Sequence, residues 1–485
     1  MKLSHVLEGL NYEVLSGGTD IDINNIQYDS RKVSKGDVFI AIKGFKTDGH
    51  NYISSAVSNG AAAVILEDYP SEILSGITVI KSLDTRYALA LVSYNFYDKP
   101  SSKMNVIGVT GTNGKTTTTY LIKTILEKQG RKTGIIGTIG NMIGDKKFHA
   151  ERTTPESLEL MELFSDMQKE GVSDVIMEVS SHSLDLKRVA FCDFDIGVFT
   201  NLTQDHLDYH KTMEAYKEAK SMLFEMAKAA VVNIDDEAAL YMLEKASGKT
   251  LTFGIDNDAN LRACDITIES TGVNFTLMYN DKKYDVSLNI PGKFSIYNAL
   301  GAMAVCVLMD VPMKTIIEGL KENTGAPGRF QTIPAKNGIS VIIDYAHTPD
   351  GLLNILNTAR EFAKAKIITV FGCGGDRDKT KRPIMGEISG NISDYAIITS
   401  DNPRTEDPLK ILDDVEVGMA KTNCKYEKIA DRREAIKRAV SIAEKDDIII
   451  IAGKGHEDYQ IFTDRTIHFD DVETAKEILK EGGFL

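Results

Sequence analysis

The feature that most limits what this chain can fold into is a repeated order: a short apolar run, a turn, then a helical segment. From Met104 onward the runs are "MNVIGVT", "GIIGT", "DVIMEVS", "IGVFTNL" and "AAVVNID". After residue 332 they are "ISVIIDYA", "KIITVFG", "YAIITSD" and "DIIIIAG". Runs apolar at nearly every position are strands buried on both faces, and helices between them make the connections crossovers. The expected class is therefore α/β, with mostly parallel sheets. Between residues 262 and 290, "CDITIES", "GVNFTLMYN" and "KKYDVSLNI" alternate apolar and polar residues, so an antiparallel patch is expected there.

A chain of 485 residues has room for about three domains of ~150 residues each. "DKPSSK" lacks periodicity and reads as a linker, and "GAPGRFQ" at 325–331 reads as a second break. The expected domains are 1–98, a small α/β unit; 99–332, with the antiparallel patch; and 333–485, a Rossmann-like α/β unit. "DVFIAIKG" and "AAAVILED" supply strands of the first, and "TRYALALVSYNFY" a helix.

A net charge of −14 argues against a nucleic-acid partner, which requires a basic face. It leaves room for an anion held in a local pocket. Cys192, Cys264, Cys306, Cys373 and Cys424 are far apart and form no CxxC pair, so buried thiols in a reducing cytoplasm are expected. "MKLSHVLEGLNYEV" does not read as a signal peptide, and no run of apolar residues is long enough to span a membrane.

"GTNGKT", Gly111 to Thr116, falls between a strand and a helix. There, backbone N–H groups and the helix dipole hold anions. Gly111 and Gly114 permit close approach, Lys115 can reach outer phosphates, and the Thr116 hydroxyl suits Mg²⁺. The spacing departs from the general phosphate loop, GxxxxGK followed by Ser or Thr, because Val109 stands where the first glycine would be. The competing reading is a glycine turn that only caps the helix. Glu178 ends "DVIMEV", and a carboxylate at a strand's carboxyl end faces the ligand crevice of an open α/β sheet. It suits a hard cation, or else caps the next helix. His206 and His210 in "DHLDYH" have the i, i+4 spacing of a zinc pair, but no HExxH pattern or cysteine cluster supports zinc.

Lys220 interrupts an apolar stripe formed by Met213, Tyr216, Leu223, Phe224 and Ala227. No Glu or Asp stands three or four residues away. Either its stem lies in the core with its head in water, or its amine is desolvated and its pKa depressed. A neutral amine can add CO₂ and become an anionic carbamate, an oxygen ligand in place of a cation.

"TGTNGKTTT" resembles the Mur ligase family, ATP-dependent amide ligases of peptidoglycan synthesis, and their folylpolyglutamate synthetase relatives. "MEVSSHSL", "FTNLTQDHLDYH", "YKEAKSMLF", "DYAHTPD", "FGCGGDRDKTKRP", "SDNPRTED" and "AGKGHEDYQ" extend the resemblance, in order, over nearly the whole chain. It implies ATP as co-substrate, on Thr110, Gly111, Thr112, Asn113, Gly114, Lys115 and Thr116, with Asn298, Arg329, Asp344 and His347 near the nucleotide. It implies Mg²⁺ held by Thr116, Glu178, His206 and Lys220 as its carbamate, N6-carboxylysine. Lys115, Lys220, His206 and Glu178 would be catalytic. His210 takes no role.

The order and spacing point within the family to addition of the third stem-peptide residue. Ser30, Thr153, Thr154, Ser180 and Arg188 would contact UDP-MurNAc-L-Ala-D-Glu, although Thr153 and Thr154 precede Pro155 and could be helix caps. Where some relatives carry Gln two residues before this Arg, the chain has Leu186. Arg377, Asp401, Asn402, Pro403, Arg404, Gly453 and Glu457 would select meso-diaminopimelate. Arg404 offers a fork for its second carboxylate and Glu457 a partner for its distal ammonium. Alternatively, Asn402-Pro403 makes a turn and Arg404 pairs with Glu406. The expected enzyme is a cytoplasmic monomer. A folylpolyglutamate synthetase would lack the first domain. A nucleotide-binding switch would leave the polar strand ends of the third domain unexplained.

Overall fold

The structure is a computed structural model and describes residues 1–44, 47–69 and 76–485. The chain forms two compact units, residues 1–115 with 126–252, and residues 116–125 with 253–485. The helix Lys115–Lys128 contributes to both. Among the described residues, no helix is long and apolar enough to cross a membrane.

The first unit carries two sheets. In the N-terminal one, the strands run in the order Tyr12–Ser16, Thr78–Ser82, Ala63–Leu66, Val38–Ile40, Ile26–Gln27. All are parallel except the edge strand Tyr12–Ser16. In the second, Asn105–Thr110 lies between Phe194–Phe199 and Asp174–Glu178, both parallel to it. Ala229–Asn233 and Thr133–Ile136 extend the parallel run outward. The register pairs Glu178 with Val109 and Phe199 with Thr110. Three adjacent strands thus end level, and the loops after Thr110, Glu178 and Phe199 open on one edge. The two sheets' layers are joined by polar contacts: Tyr28 donates to Glu159 (2.7 Å), Tyr94 to Asp193 (3.1 Å), and Lys187 pairs with Asp84.

"DKPSSK" differs from the expected linker. It forms the 3₁₀ turn Pro100–Lys103, with Pro100 and Ser101 buried and Ser101 Oγ on Asp193 at 2.7 Å. Asp98 and Lys99 take left-handed backbone there, and Lys99 N–H donates to Tyr94 O (2.8 Å), closing the end of the helix Thr85–Phe96. The cysteines are all free. Cys192, Cys306 and Cys373 are buried as expected, whereas Cys264 and Cys424 are only half-buried.

The second unit contains the antiparallel strands Leu261–Glu269, Gly272–Tyr279 and Lys282–Leu288. A six-stranded sheet in the same unit has the order Gln331–Pro334, Ser340–Asp344, Ile448–Ala452, Ile367–Phe371, Tyr395–Ile398, Lys425–Lys428. Only the first of these is antiparallel to its neighbour. Ile448 and Ile450 enter the core on one face, Ile449 and Ile451 the core on the other. All four are fully buried, each contributing about 1.5–3 kcal/mol of transfer free energy. That is why the run reads as unbroken isoleucine. The ladder ends at Asp344, Ala452, Phe371 and Ile398, which stand level. "DYAHTPD", "AGKGHE", "FGCGGDRD" and "SDNPR" therefore leave the same edge.

Candidate active site

In the first unit, the loop after Thr110 is built by the segment after Phe199. Gly111 has φ +147°, and a Cβ there would fall 1.9 Å from Thr200 Oγ1, so only glycine fits. Thr112 N–H donates to Asn201 O (2.9 Å), and Asn113 N–H to Asn201 Oδ1 (2.9 Å). Thr200 Oγ1 donates to Asn113 O (2.6 Å). Thr200 and Asn201 were not singled out by the sequence reading, although they lie inside a quoted motif. A bare helix-capping turn would not require this bracing.

Lys115 Nζ donates to Gly111 O (2.8 Å) and Thr112 O (2.9 Å). Lys220 Nζ reaches the same Gly111 carbonyl at 2.9 Å. Lys220 is 1% exposed, on the helix Met213–Met226, with its amine 4.4 Å from the Tyr216 ring centroid. The head does not reach water. Burial, reinforced by the Lys115 charge, holds its pKa well below the usual lysine value. Tyr216 Oη lies 3.3 Å from Thr112 Oγ1, and its ring 6.0 Å from that of His206. Half-exposed His206 has φ +53° at the start of the short helix Leu207–His210. His182, not singled out earlier, lies 5.0 Å from it. His210 Nε2 is 2.8 Å from Ser181 Oγ, a local hydrogen bond in place of the zinc pair.

Glu178 is buried, and the helix that follows it, Ser181–Asp185, has Ser180 at its N-cap. The Glu178 carboxylate accepts from Thr138 N–H (2.9 Å) and Thr138 Oγ1 (3.0 Å). Thr153 Oγ1 lies 3.0 Å from the same Thr138 hydroxyl. Thr154 Oγ1 donates to Glu178 O (2.8 Å) and accepts from Ser180 N–H (3.1 Å). The helix after them is Ser157–Lys169 with Glu156 at its N-cap, so neither threonine is a cap. Arg188 donates to Thr154 O (3.3 Å) and pairs with Glu156 (3.2 Å). Arg86 and Arg152 approach the same Glu156 carboxylate at 3.6 and 3.9 Å. Three guanidinium groups thus surround the Glu156 carboxylate. Ser30 is buried in the 3₁₀ turn Ser30–Lys32, its carbonyl accepting from Asn59 (2.9 Å). The described contacts do not join it to this group.

In the second unit, Asn298 is buried on the helix Lys293–Leu308 and accepts from Thr118 Oγ1 at 3.4 Å. Asp344 accepts from the N–H groups of Phe330 (2.7 Å) and Ala346 (2.9 Å). Burial raises its pKa against the opposing Arg329 charge. Arg329 stacks over Tyr345 at 5.2 Å, and His347 Nδ1 is 2.8 Å from Tyr345 O. Tyr345 Oη also reaches Glu457 Oε1 at 3.5 Å, so this unassigned tyrosine joins the two sets of expected residues in the unit.

Asn402 donates to Glu457 Oε2 (2.9 Å) and accepts from Ile461 N–H (3.0 Å). Lys454, its side chain fully buried, lies 3.3 Å from Glu457 and 3.4 Å from Asn402 Oδ1. Arg404 has φ +53°. Its Nη1 donates to Gly375 O (2.7 Å), its N–H to Ile461 O (3.0 Å), and its carbonyl accepts from Thr463 Oγ1 (2.8 Å). It does not pair with Glu406, which is held by Arg382 and Lys379. Gly375 N–H donates to Asn402 O (2.9 Å), and a Cβ on Gly375 would fall 1.9 Å from Pro403 O. Gly453 N–H donates to Asp344 O (3.1 Å), and Asp401 is buried beside it. Arg377 is exposed. A guanidinium and a carboxylate thus stand on one hydrogen-bonded frame, complementary to the two ends of an amino-acid centre.

Comparison with known proteins gives matches along most of the chain. Residues 22–90 match the model of the Mur ligase family, catalytic domain. Residues 109–306 match the Mur ligase middle domain, and residues 328–455 the Mur ligase, glutamate ligase domain. A UDP-N-acetylmuramoyl-L-alanyl-D-glutamate--2,6-diaminopimelate ligase of Clostridium tetani is 51% identical over 485 residues, covering 99% of this chain and 100% of that protein. One bearing the same name from Caldanaerobacter subterraneus is 52% identical over 482 residues, covering 99% of each. A solved structure of a protein of that name superposes with TM-score 0.75 at 33% identity, covering 100% of this chain and 99% of the other. A MurF ligase from Thermotoga maritima, solved in complex with ADP, shares the fold with TM-score 0.60 at 20% identity, covering 94% of this chain and 97% of the other.

Proposed function

The chain belongs to the Mur ligase family, and from that premise we propose how its residues divide the work of an ATP-dependent ligase. The enzyme joins meso-2,6-diaminopimelate to the D-Glu γ-carboxyl of UDP-MurNAc-L-Ala-D-Glu, in peptidoglycan precursor synthesis. The observation that carries the choice of amine is the frame linking Arg404, Asn402 and Glu457. Arg404 binds the distal carboxylate and Glu457 the distal ammonium of diaminopimelate. Lysine lacks that carboxylate and would leave the fork unpaired.

The γ-carboxylate of D-Glu attacks the γ-phosphorus of ATP, giving an acyl phosphate and ADP. The diaminopimelate amine then attacks the carbonyl carbon, loses a proton, and inorganic phosphate leaves. This chemistry depends on positioning and charge neutralisation. Residues 110–116 cradle the phosphates, and Lys115 turns from the loop carbonyls to the transferring phosphoryl group. Asn298, Arg329, Asp344 and His347 contact the nucleotide. Thr153, Thr154, Ser180 and Arg188 orient the dipeptide end of the UDP substrate, and Ser30 its uridine. Arg377, Asp401, Pro403 and Gly453 complete the diaminopimelate contacts.

A buried carboxylate, a hydroxyl and a carbamate oxygen form an oxygen-rich set suited to a hard divalent cation. Thr116, Glu178, His206 and carbamylated Lys220 would hold Mg²⁺, which when bound neutralises phosphoryl charge. The Lys220 amine, buried beside Lys115, has the environment that favours its neutral, CO₂-reactive form. A cytoplasmic monomer divided at residues 98/99 and 332/333 is part of the same reading.

Phosphate release with UDP-MurNAc-L-Ala-D-Glu and a panel of amino acids tests the function. Diaminopimelate should support turnover far better than L-lysine. Equal use of lysine would overturn the assignment of the amine.

A further inference from the structure

Arg432 opens the helix Arg432–Ile442, and Asp471 opens the helix Asp471–Glu481. Both side chains are 0% exposed. The guanidinium grips the carboxylate at two points, Nε to Oδ1 and Nη2 to Oδ2, each at 2.7 Å. Its remaining reach goes to backbone: Nη1 donates to Ser400 O (3.4 Å) and Nη2 to Ala452 O (3.1 Å). Ser400 immediately precedes Asp401, and Ala452 immediately precedes Gly453.

The strands leading to these two carbonyls are not neighbours in the sheet, although the loops beyond them meet in the backbone bond from Arg404 N–H to Ile461 O. The strand Ile367–Phe371 lies between Ile448–Ala452 and Tyr395–Ile398. Arg432 spans that gap. Farther out, Gln460 Nε2 on Asp401 O (2.7 Å) and the Asn402–Glu457 bond also tie the loops. Arg432 fixes them at their roots. A buried ion pair is weak evidence of stabilisation, since apolar replacement is often neutral or better. Its form here matches a task of spacing. A planar fork can hold one carboxylate and two carbonyls at once, which a lysine ammonium on a flexible stem does not.

We propose that Arg432, clamped by Asp471, is a positioning residue for the amino-acid substrate. It sets the distance between the Asp401–Arg404 loop and the loop carrying Gly453 and Glu457. This rests on the reading of those loops as the diaminopimelate site.

The test is steady-state phosphate release by the full-length enzyme, varying each of the three substrates in turn. In the double variant Arg432→Met/Asp471→Leu, KM for diaminopimelate should rise about tenfold or more, because small misplacements of binding groups cost that much. KM for ATP and for the UDP-dipeptide should stay within about twofold, and Arg432→Lys should not restore diaminopimelate affinity. A folded double variant with wild-type KM for diaminopimelate, or a common rise in all three constants, overturns the proposal. If the double variant does not fold, isosteric Asp471→Asn decides. A selective rise in diaminopimelate KM supports the role, and unchanged constants refute it. If the wild type itself does not use diaminopimelate, the functional reading fails. If it does and the variants are unaffected, only the positioning role fails.

Discussion

Replacing Arg404 by glycine should separate stability from activity. Arg404 is a non-glycine residue at φ +53°. Left-handed backbone costs an L-residue roughly 1–2 kcal/mol, a penalty glycine does not incur. The substitution removes the bond from Nη1 to Gly375 O, about 1 kcal/mol net, and frees the unfolded chain by roughly another 0.5–1 kcal/mol. The two backbone bonds, to Ile461 O and from Thr463, remain. The opposing terms nearly cancel, so stability should change by no more than about 1 kcal/mol, a shift of a few degrees in Tm. Activity should not cancel. Losing one partner of a buried charged contact costs about 2–5 kcal/mol. At about 1.4 kcal/mol per decade, kcat/KM for diaminopimelate should fall roughly 30- to 4,000-fold. Thermal melts and phosphate release at saturating ATP and UDP-dipeptide measure the two quantities. Arg404→Ala is the control, since it loses the fork and keeps the strain. An alanine variant more stable than the glycine variant would refute the strain argument. A glycine variant within about threefold of wild-type kcat/KM would refute the substrate contact.

Lys115→Ala should leave a folded protein, by circular dichroism, whose kcat is lower by about 100-fold or more; near-normal turnover would remove the loop from the mechanism. Lys220→Ala should be inactive and regain turnover with added short carboxylic acids, while ¹³CO₂ should give wild type a carbamate resonance that the variant lacks. No such resonance in the Mg²⁺-loaded wild type would refute carbamylation. Hydrogen bonds from Arg382, then Lys379, then Asp376 N–H hold the Glu406 carboxyl down to about 2. Its folded pKa is depressed, so its stabilisation is full above the ordinary value near 4.5 and is lost as pH falls toward about 2. The Tm gap between wild type and Glu406→Gln should therefore narrow across that window, and a constant gap would contradict the pairing.

What could be read in advance was what depends on near neighbours in the chain. The apolar runs became strands because each residue's burial follows its own side chain, and every motif after a run landed at a strand end. Lys220 was recognisable because a cation interrupts a stripe of helical spacing. The other class of feature joins residues remote in sequence through polar contacts that leave no periodicity. Thr154 reads as a helix cap until Glu178 and Ser180 are seen beside it. Tyr345 reads as part of "DYAHTPD" until its hydroxyl meets Glu457. Asn201 and Thr200 lay in plain view within a motif read for its histidines. Nothing local marks Arg432 as different from Arg433, yet one is buried on Asp471 and the other pairs with Glu477 at the surface.

The close approach of Gly375 to Pro403 has a consequence for how such a site can be altered. Gly375 N–H is bonded to Asn402 O, Gly375 O to Arg404, and no side chain fits between Gly375 and Pro403. The segment after Phe371 and the segment after Ile398 are thus moulded on each other, main chain to main chain. Retargeting this domain to another amino acid by exchanging "DNPR" alone would graft one half of a mould onto the other half's mismatch. A successful transplant would move residues 372–379, 401–406 and 453–461 together. The isoleucines of the strands beneath them, buried in the two cores, could remain as they are.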